Sequence, residues 1–452
     1  MSEIKVNKIS PRTACGTVTL GDSGDTFTIP SGATINNQGT ATNFGATGAA
    51  SWDTTVKTAS FTGVAGVGYF VNTTSGAITV TLPASPAAGA VVAVSDYAGT
   101  ADTNNITIGR NGSNINGAAA DQIISIENSA VTLVYVDGTQ GWKATDTSNL
   151  NDIELQPTYV TATGGTITCC GDYKVHTFTG PGTFCVSAVG NPAGSTSVDY
   201  LVVAGGAGGS FGGGGAGGYR ESSGAASGCY AASPLGACVS ALPVTTTGYP
   251  ITVGGGGAGR PSNANGSSSI FSTITSNGGG TGGGASTNNG PGIAGGSGGG
   301  GGHGPGTPVN AQPSGAGNTP PTSPAQGTPG GTGYQSGGNF GGGGGGGATV
   351  AGTNAVGGSP TSNTGGNGGT GATTSINGTP TTFAGGGGGA YYYNTCAGQA
   401  GAGGGGRSGI EGGGSDGATA GTTNTGGGGG GGNGTGKAGG SGIVIIRYKF
   451  QN

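Results

Sequence analysis

The sequence predicts an all-β protein in three parts: an N-terminal fibre segment of short strands, a β-sandwich or barrel-like domain, and a bundle of polyglycine-II segments bracketed by β-strands. Three observations predict it. Stretches alternating apolar and polar residues recur through residues 51–150 with turn residues between them, the period-two signature of strands. Glycine supplies 115 of the 452 residues; 25 of these precede Asp199, so 90 crowd into the remainder. That remainder opens on Val198-Asp-Tyr-Leu-Val-Val203 and closes on Gly442-Ile-Val-Ile-Ile-Arg-Tyr448, both of which read as strands.

Residues 1–50 carry three short alternating stretches, Cys15–Leu20, Asp25–Pro30 and Ala33–Asn36. So short a segment buries too little to fold alone, since domains below about 40 residues generally need staples or oligomerisation. It is expected to pair with copies of itself or to dock on a partner particle. Residues 51–150 form the second part, with strands at Ile78–Leu82, Val91–Val94, Asn105–Ile108, Ile123–Ile126 and Val131–Val136. The Asp137-Gly138 and Gln140-Gly141 turns bring Trp142 back against the last strand, where a large ring is ordinarily buried. Trp52, Phe61, Tyr69 and Phe70 are expected in the same core. Residues 151–198 read as a connector of three strands, Thr166–Cys170, Tyr173–Phe178 and Thr183–Ser187, with His176 a structural side chain on the middle one. Residues 199–452 make the glycine domain.

Glycine runs lie at 212–215, 254–257, 298–302, 341–347, 385–389, 403–406 and 426–432. In isolation such runs are flexible linkers, because glycine loses more backbone entropy on ordering than any other residue. The alternative is a bundle of extended three-residue-per-turn helices whose backbone donors and acceptors point sideways to their neighbours. Runs of five to seven residues at about 3.1 Å each would give rods near 20 Å long. The intervening segments are rich in Asn, Thr, Pro and Ser, as turns are. From Pro261 to Gly406 there is no Asp, Glu, Lys or Arg, whereas disordered tails are usually charged. Collagen is the poorer match, since it requires glycine strictly at every third residue.

Composition bounds the function classes. Charged residues are 7% of the chain and the net charge is −4, so no basic stripe recommends a nucleic-acid partner. No apolar stretch reaches the roughly 18 residues of a membrane span, and the N-terminus lacks a signal-peptide core, so cytoplasmic synthesis without membrane insertion is expected. The seven cysteines are an odd number for a disulfide framework; Cys229 and Cys238, flanking a turn, are the pair expected to oxidise outside a cell. With no CxxC pair and two histidines, no metal site is expected, and no cofactor site.

No catalytic constellation is legible. Matches to GxGxxG are expected by chance in such a glycine content, and none follows a strand and opens a helix. The acidic residues are scattered over loops. Binding is better supported, because loops joining ordered rods emerge at the bundle's ends, where they can vary freely. The aromatics of this half fall in those joins. Tyr391, Tyr392 and Tyr393 form the favoured candidate receptor-binding site, with Tyr334, Phe340 and His303 as further members; tyrosine offers a rigid face and a polar tip. A tyrosine that merely lids the glycine array is the plainer alternative for each.

The segments Gly68–Pro83 and Ile108–Gly117 resemble β domains of tail-fibre-like proteins of marine bacteriophages, including those of cyanobacteria. Val198–Gly206, Gly213–Gly218, Ile251–Gly254 and the terminal Gly440–Tyr448 are similar to the glycine-rich domain of such fibres, and Asn7–Arg12 resembles their start. The resemblance implies a virion adhesin, commonly a homotrimer. Its N-terminus would dock to other virion proteins, and distal loops of a polyglycine lattice would choose a host receptor, an outer-membrane protein or a surface polysaccharide. It departs from the T-even-like fibres in carrying β domains and glycine domain on one chain. Two other classes compete: a purely structural head or neck fibre or decoration protein, and a polysaccharide depolymerase, which the uncharged stretch 261–406 disfavours.

Overall fold

The computed structural model describes residues 9, 18, 19, 26, 28, 50–146, 154–228, 230–284, 290–303, 312–336, 339–357, 364–392, 396–409 and 417–451. Three of the expected features therefore lie outside the described residues: the strands of residues 15–36, Tyr393, and Cys229 with its suggested bond to Cys238. The chain divides into two compact units, Met1–Glu154 and Leu155–Asn452. As expected, the architecture is all-β; among the described residues the sole helical element is a single 3-10 turn, Pro234–Gly236.

In the first unit the strands are β1 (Ser51–Lys57), β2 (Phe61–Thr62), β3 (Val67–Val71), β4 (Ile78–Thr81), β5 (Val91–Asp96), β6 (Ile106–Gly109), β7 (Gln122–Ile124), β8 (Ala130–Asp137) and β9 (Gly141–Asp146). β10 (Glu154–Leu155) falls where the units divide. The first six strands alternate between two sheets: β1, β3 and β5 pair in parallel in one, while β2, β4 and β6 pair in parallel in the other. Each short turn thus carries the chain across to the opposite sheet. β8 and β9 then extend the first sheet antiparallel, and β7 extends the second. Neither sheet closes into a barrel. Period-two alternation identifies strands but not their partners, so this coil-like parallel pairing was not readable beforehand. Val71, Val80, Leu82, Val94, Ile108 and Leu133 fill the core with Trp142, which is fully buried beside Tyr135. Trp52 corrects the expectation: it is 43% exposed, lying flat over Gly68 and stacked on Phe70 at 4.8 Å. A glycine opposite an edge-strand tryptophan gives the ring a seat on the outside of the sheet.

In the second unit, one sheet runs β11 (Thr161–Thr163), β14 (Gly182–Ala188), β18 (Gly248–Thr252), β19 (Ser269–Phe271) and β20 (Ile274–Ser276). The other runs β12 (Thr166–Cys170), β13 (Tyr173–Phe178), β25 (Ile443–Lys449), β15 (Ser197–Val203) and β16 (Tyr219–Glu221), with β17 (Leu242–Pro243) also on β15. Two hairpins, β21 (Tyr334–Ser336) with β22 (Asn339–Gly341) and β23 (Ala372–Thr374) with β24 (Thr381–Phe383), lie farther along. The strands read as a connector are integral to this unit, for β13 pairs with β25 along its length.

β15 and β25, the two ends of the glycine segment, pair antiparallel from Asp199–Arg447 to Val203–Ile443. Val198, Tyr200, Val202, Val444, Ile446 and Tyr448 enter one core with Phe184 and Phe271. Leu201, Val203, Ile443 and Ile445 enter another with Tyr219, Ile376 and Phe383. Burial on both faces explains why these strands are near-continuously apolar rather than alternating.

Between them the glycine runs are bonded laterally, and those at 212–215, 298–302, 341–347, 385–389 and 426–432 are buried throughout. Gly213 N donates to Gly343 O at 3.0 Å, Gly214 N to Gly429 O at 2.9 Å, Gly215 N to Gly280 O at 2.9 Å and Ala216 N to Gly346 O at 3.0 Å. The first and fourth donors reach the same neighbouring run, so bonding directions repeat after three residues. Residues 343–346 repeat the pattern, with Gly343 bonding Gly301, Gly344 bonding Thr353, Gly345 bonding Gly387 and Gly346 bonding Gly298. Glycine is required here for room: a Cβ at Gly343 would collide with the carbonyl of Gly331, although the residue's φ is not in the left-handed region.

Candidate functional site

One cluster of rings forms where several glycine runs turn. Phe211, fully buried, interrupts the first glycine segment; its carbonyl accepts from Ala390 N at 2.9 Å and its amide donates to Gly283 O at 3.0 Å. His303 lies edge-on to Phe211 at 4.6 Å and tilted over Phe340 at 4.5 Å, and Phe340 meets Tyr392 at 5.6 Å. Backbone pairing fixes the arrangement: Gly341 of β22 bridges to Tyr391, and Tyr392 N donates to Phe340 O at 3.0 Å. Tyr334, opposite Gly341 in the hairpin, lays its ring on the backbone of Gly357.

Three separate joins therefore bring His303, Phe340 and Tyr392 into one contiguous set, each partly exposed. Tyr334 is also partly exposed, on the facing strand of the same hairpin. Tyr391 behaves differently. It is 1% exposed, its ring against Gly341, and its hydroxyl has no hydrogen-bond partner among the described residues. Burial, with a smaller contribution from Tyr334, pushes that hydroxyl up to about 12. Direct contact with a partner, expected of Tyr391 from the sequence, is incompatible with this burial; the glycine opposite it leaves a slot that the ring fills.

A groove of about 540 Å³ opens among the segments that carry residues 353–356, 364–367, 396–399 and 407. Its walls include Asn354, Val356, Asn367, Cys396, Gln399 and Arg407. Asn354 Oδ1 accepts from Thr332 N at 2.8 Å, and Asn367 Oδ1 accepts from Gln399 N at 2.8 Å. Gln399 Nε2 donates to Ala397 O at 3.2 Å. The two asparagine bonds tie neighbouring segments together, and all three fix the orientation of their amides. Sequence reasoning passed over this groove, as it did Phe211. Its one visible signal was Arg407, the cation that ends the uncharged stretch.

Other polar clusters are closed. Buried Asp199 accepts from Ser222 Oγ at 2.7 Å, Gly224 N at 3.1 Å, and Ser227 N and Oγ at 2.7 and 2.6 Å. Glu221 accepts from the Tyr219 hydroxyl at 2.7 Å, Ser233 N at 2.9 Å and the Thr374 hydroxyl; burial nevertheless raises its carboxyl above the ordinary range. Both carboxylates have their oxygens occupied by the protein, which suits scaffolding. His176 places Nδ1 2.7 Å from Gly164 O and Nε2 3.1 Å from the Tyr448 hydroxyl, a core histidine. Among the described residues, no three His, Cys, Asp or Glu side chains gather as a metal site would need, and no helix is long and apolar enough to cross a membrane. Cys169, Cys170, Cys185, Cys238 and Cys396 are free thiols at the surface.

A family model described as a glycine-rich domain matches residues 177–449, which span from β13 to the end of β25. No curated protein matches the chain.

Proposed function

The chain belongs to the glycine-rich domain family, and from that premise we propose that it is a bacteriophage fibre adhesin whose glycine unit attaches the virion to a host-cell surface. The observation that carries this reading is the meeting of His303, Phe340 and Tyr392 from three separate joins of a densely bonded scaffold. Rigid backbone holding partly exposed rings and polar loops is the arrangement recognition needs, because little entropy is lost when a pre-ordered face binds. The three-residue repeat of bonding directions supports a polyglycine-II conformation for the runs. The N-terminal residues are assigned docking to other virion proteins, and assembly is assigned as a homotrimer. The receptor is an outer-membrane protein or a surface polysaccharide.

Burial of Tyr391 favours a second reading, in which the rings only seal the array and the protein is a structural fibre or decoration. Competition separates the two. Full-length protein added to host cells before the phage that carries this chain should lower the plaque count in a dose-dependent way. Unchanged infection together with undetectable cell binding of labelled protein would leave the structural reading.

A further inference from the structure

We propose that the groove bounded by Asn354, Asn367, Gln399 and Arg407 binds an acidic polysaccharide segment, an inference that rests on the adhesin reading and names its ligand class. The Oδ1 atoms of Asn354 and Asn367 are engaged by the backbone amides of Thr332 and Gln399. Each Nδ2 group has no partner among the described residues, so both amides present donors whose direction is already fixed. Gln399 is the reverse: its Nε2 is held by Ala397 O, which leaves Oε1 as an acceptor. Arg407 is exposed at the groove, and among the described residues no acidic group pairs with its guanidinium.

A ligand matching this set carries an anion for Arg407, acceptors for two amide donors, and a hydroxyl donor for Gln399 Oε1. Acidic peptides also supply anions, acceptors and N–H donors, but they lack a ring whose C–H face can lie on the apolar part of the wall. Uronic-acid and other carboxylated or sulfated sugars supply all three from one ring system. Val356, 53% exposed on the groove wall, adds an apolar ledge for the C–H face of a pyranose. A volume of about 540 Å³ suits a few sugar units, being within the ordinary range of small-molecule sites. Arg407 is suited to this role because guanidinium pairs with planar oxyanions in two-pronged fashion.

The test is calorimetric titration of the full-length protein with tetragalacturonate, alongside maltotetraose and tetraglutamate. Saturable binding of tetragalacturonate that weakens with salt, and exceeds that of both comparison ligands, is expected. Arg407→Gln should lower the affinity ~10-fold or more, the loss of one charge-assisted contact. Asn367→Asp keeps the acceptor for Gln399 N while replacing the outward donor with an anion, and should lower it at least as much without changing the melting temperature. No saturable binding, equal binding of tetraglutamate, or unaltered affinity in both variants would overturn the proposal. Host-cell attachment of the wild type is measured in the same series. Attachment without tetragalacturonate binding sinks the groove and leaves the adhesin, whereas tetragalacturonate binding without attachment does the opposite.

Discussion

Asp199 and Arg447 stand opposite each other across the β15–β25 pairing, both buried, yet no ion pair joins them. Each charge is accommodated by other means. Asp199 takes four donors from the loop that follows β16. Arg447 lies between two rings, its guanidinium carbon 4.5 Å from the Tyr173 centroid and 5.2 Å from that of Tyr230, and its Nε has no hydrogen-bond partner. Cation–π contact with these rings, and a long hydrogen bond from Nη1 to Ile376 O at 3.4 Å, stand where a carboxylate would. The strand pair that closes the glycine segment thus holds two buried charges, each compensated by its own protein partners, instead of a salt bridge.

That separation makes the two residues unequal. Asp199→Ala strands the amides of Gly224 and Ser227 and two serine hydroxyls in the interior, and should destabilise the protein by about 3 kcal/mol or more. Arg447→Met removes a charge with an unsatisfied Nε and keeps the stem's packing, so its cost should be below about 1.5 kcal/mol. Chemical denaturation of both variants and of the double variant checks this. A coupling energy of about 3 kcal/mol or more would indicate an ion pair in solution and contradict the arrangement.

The glycine lattice makes a sharper contrast. Gly343 and Gly255 both belong to runs, but a Cβ at Gly343 meets the Gly331 carbonyl, whereas at Gly255 it meets nothing within 4 Å. Gly343→Ala must push two backbones apart and should cost at least 1–3 kcal/mol, the usual range for overpacking. Gly255→Ala should be neutral or stabilise by up to about 1 kcal/mol, because alanine restricts the unfolded chain. Equal melting temperatures for the two variants would mean that the runs are not packed in solution.

Much of this was legible from residue order. Alternation located the strands of residues 78–136, and the apolar runs 198–203 and 442–448 identified the bracketing strands. It did not reveal that these two strands are neighbours, since 238 intervening positions separate Val203 from Gly442 and pairing over that span leaves no local trace. The aromatics in the joins marked His303, Phe340 and Tyr392 of the ring cluster and missed Phe211. That Tyr391 would be buried depended on the single glycine at 341 that receives its ring. The groove was illegible because its residues come from segments near 354, 367, 399 and 407, aligned only by lateral bonds between runs.

His176 predicts a pH response. Gly164 O can only accept, so Nδ1 carries the proton, and the Tyr448 hydroxyl donates to Nε2. Burial, helped by Lys174 and opposed by the Gly164 bond, holds the imidazole below its ordinary 6.5. The unfolded chain therefore binds a proton more readily than the folded one. The stability contribution is present above 6.5 and is lost as pH falls through the lower folded value. Melting temperatures from pH 8 down to about 4 should show a decline that starts near 6.5 and is reduced in His176→Gln. An identical profile in the variant would assign the decline to other groups.

Tyr391 and Tyr392 are adjacent in sequence and should respond oppositely to substitution. Tyr391 has a buried hydroxyl without a partner, a cost to the folded state that Tyr391→Phe removes while keeping the ring in its slot. Tyr391→Phe should therefore be neutral or stabilise by up to about 1–3 kcal/mol, with cell attachment unchanged. Tyr391→Ala would leave a ring-sized cavity and cost about 3–5 kcal/mol, so any loss of attachment it caused would reflect damage to the scaffold. Tyr392 is partly exposed at the end of the Phe340 and His303 stack, where truncation removes contact surface and little core. Tyr392→Ala should lower attachment of labelled protein to host cells ~10-fold, as loss of an aromatic anchor does, while shifting the melting temperature little. Full attachment by Tyr392→Ala, with Phe340→Ala equally silent, would remove the ring cluster from the recognition face.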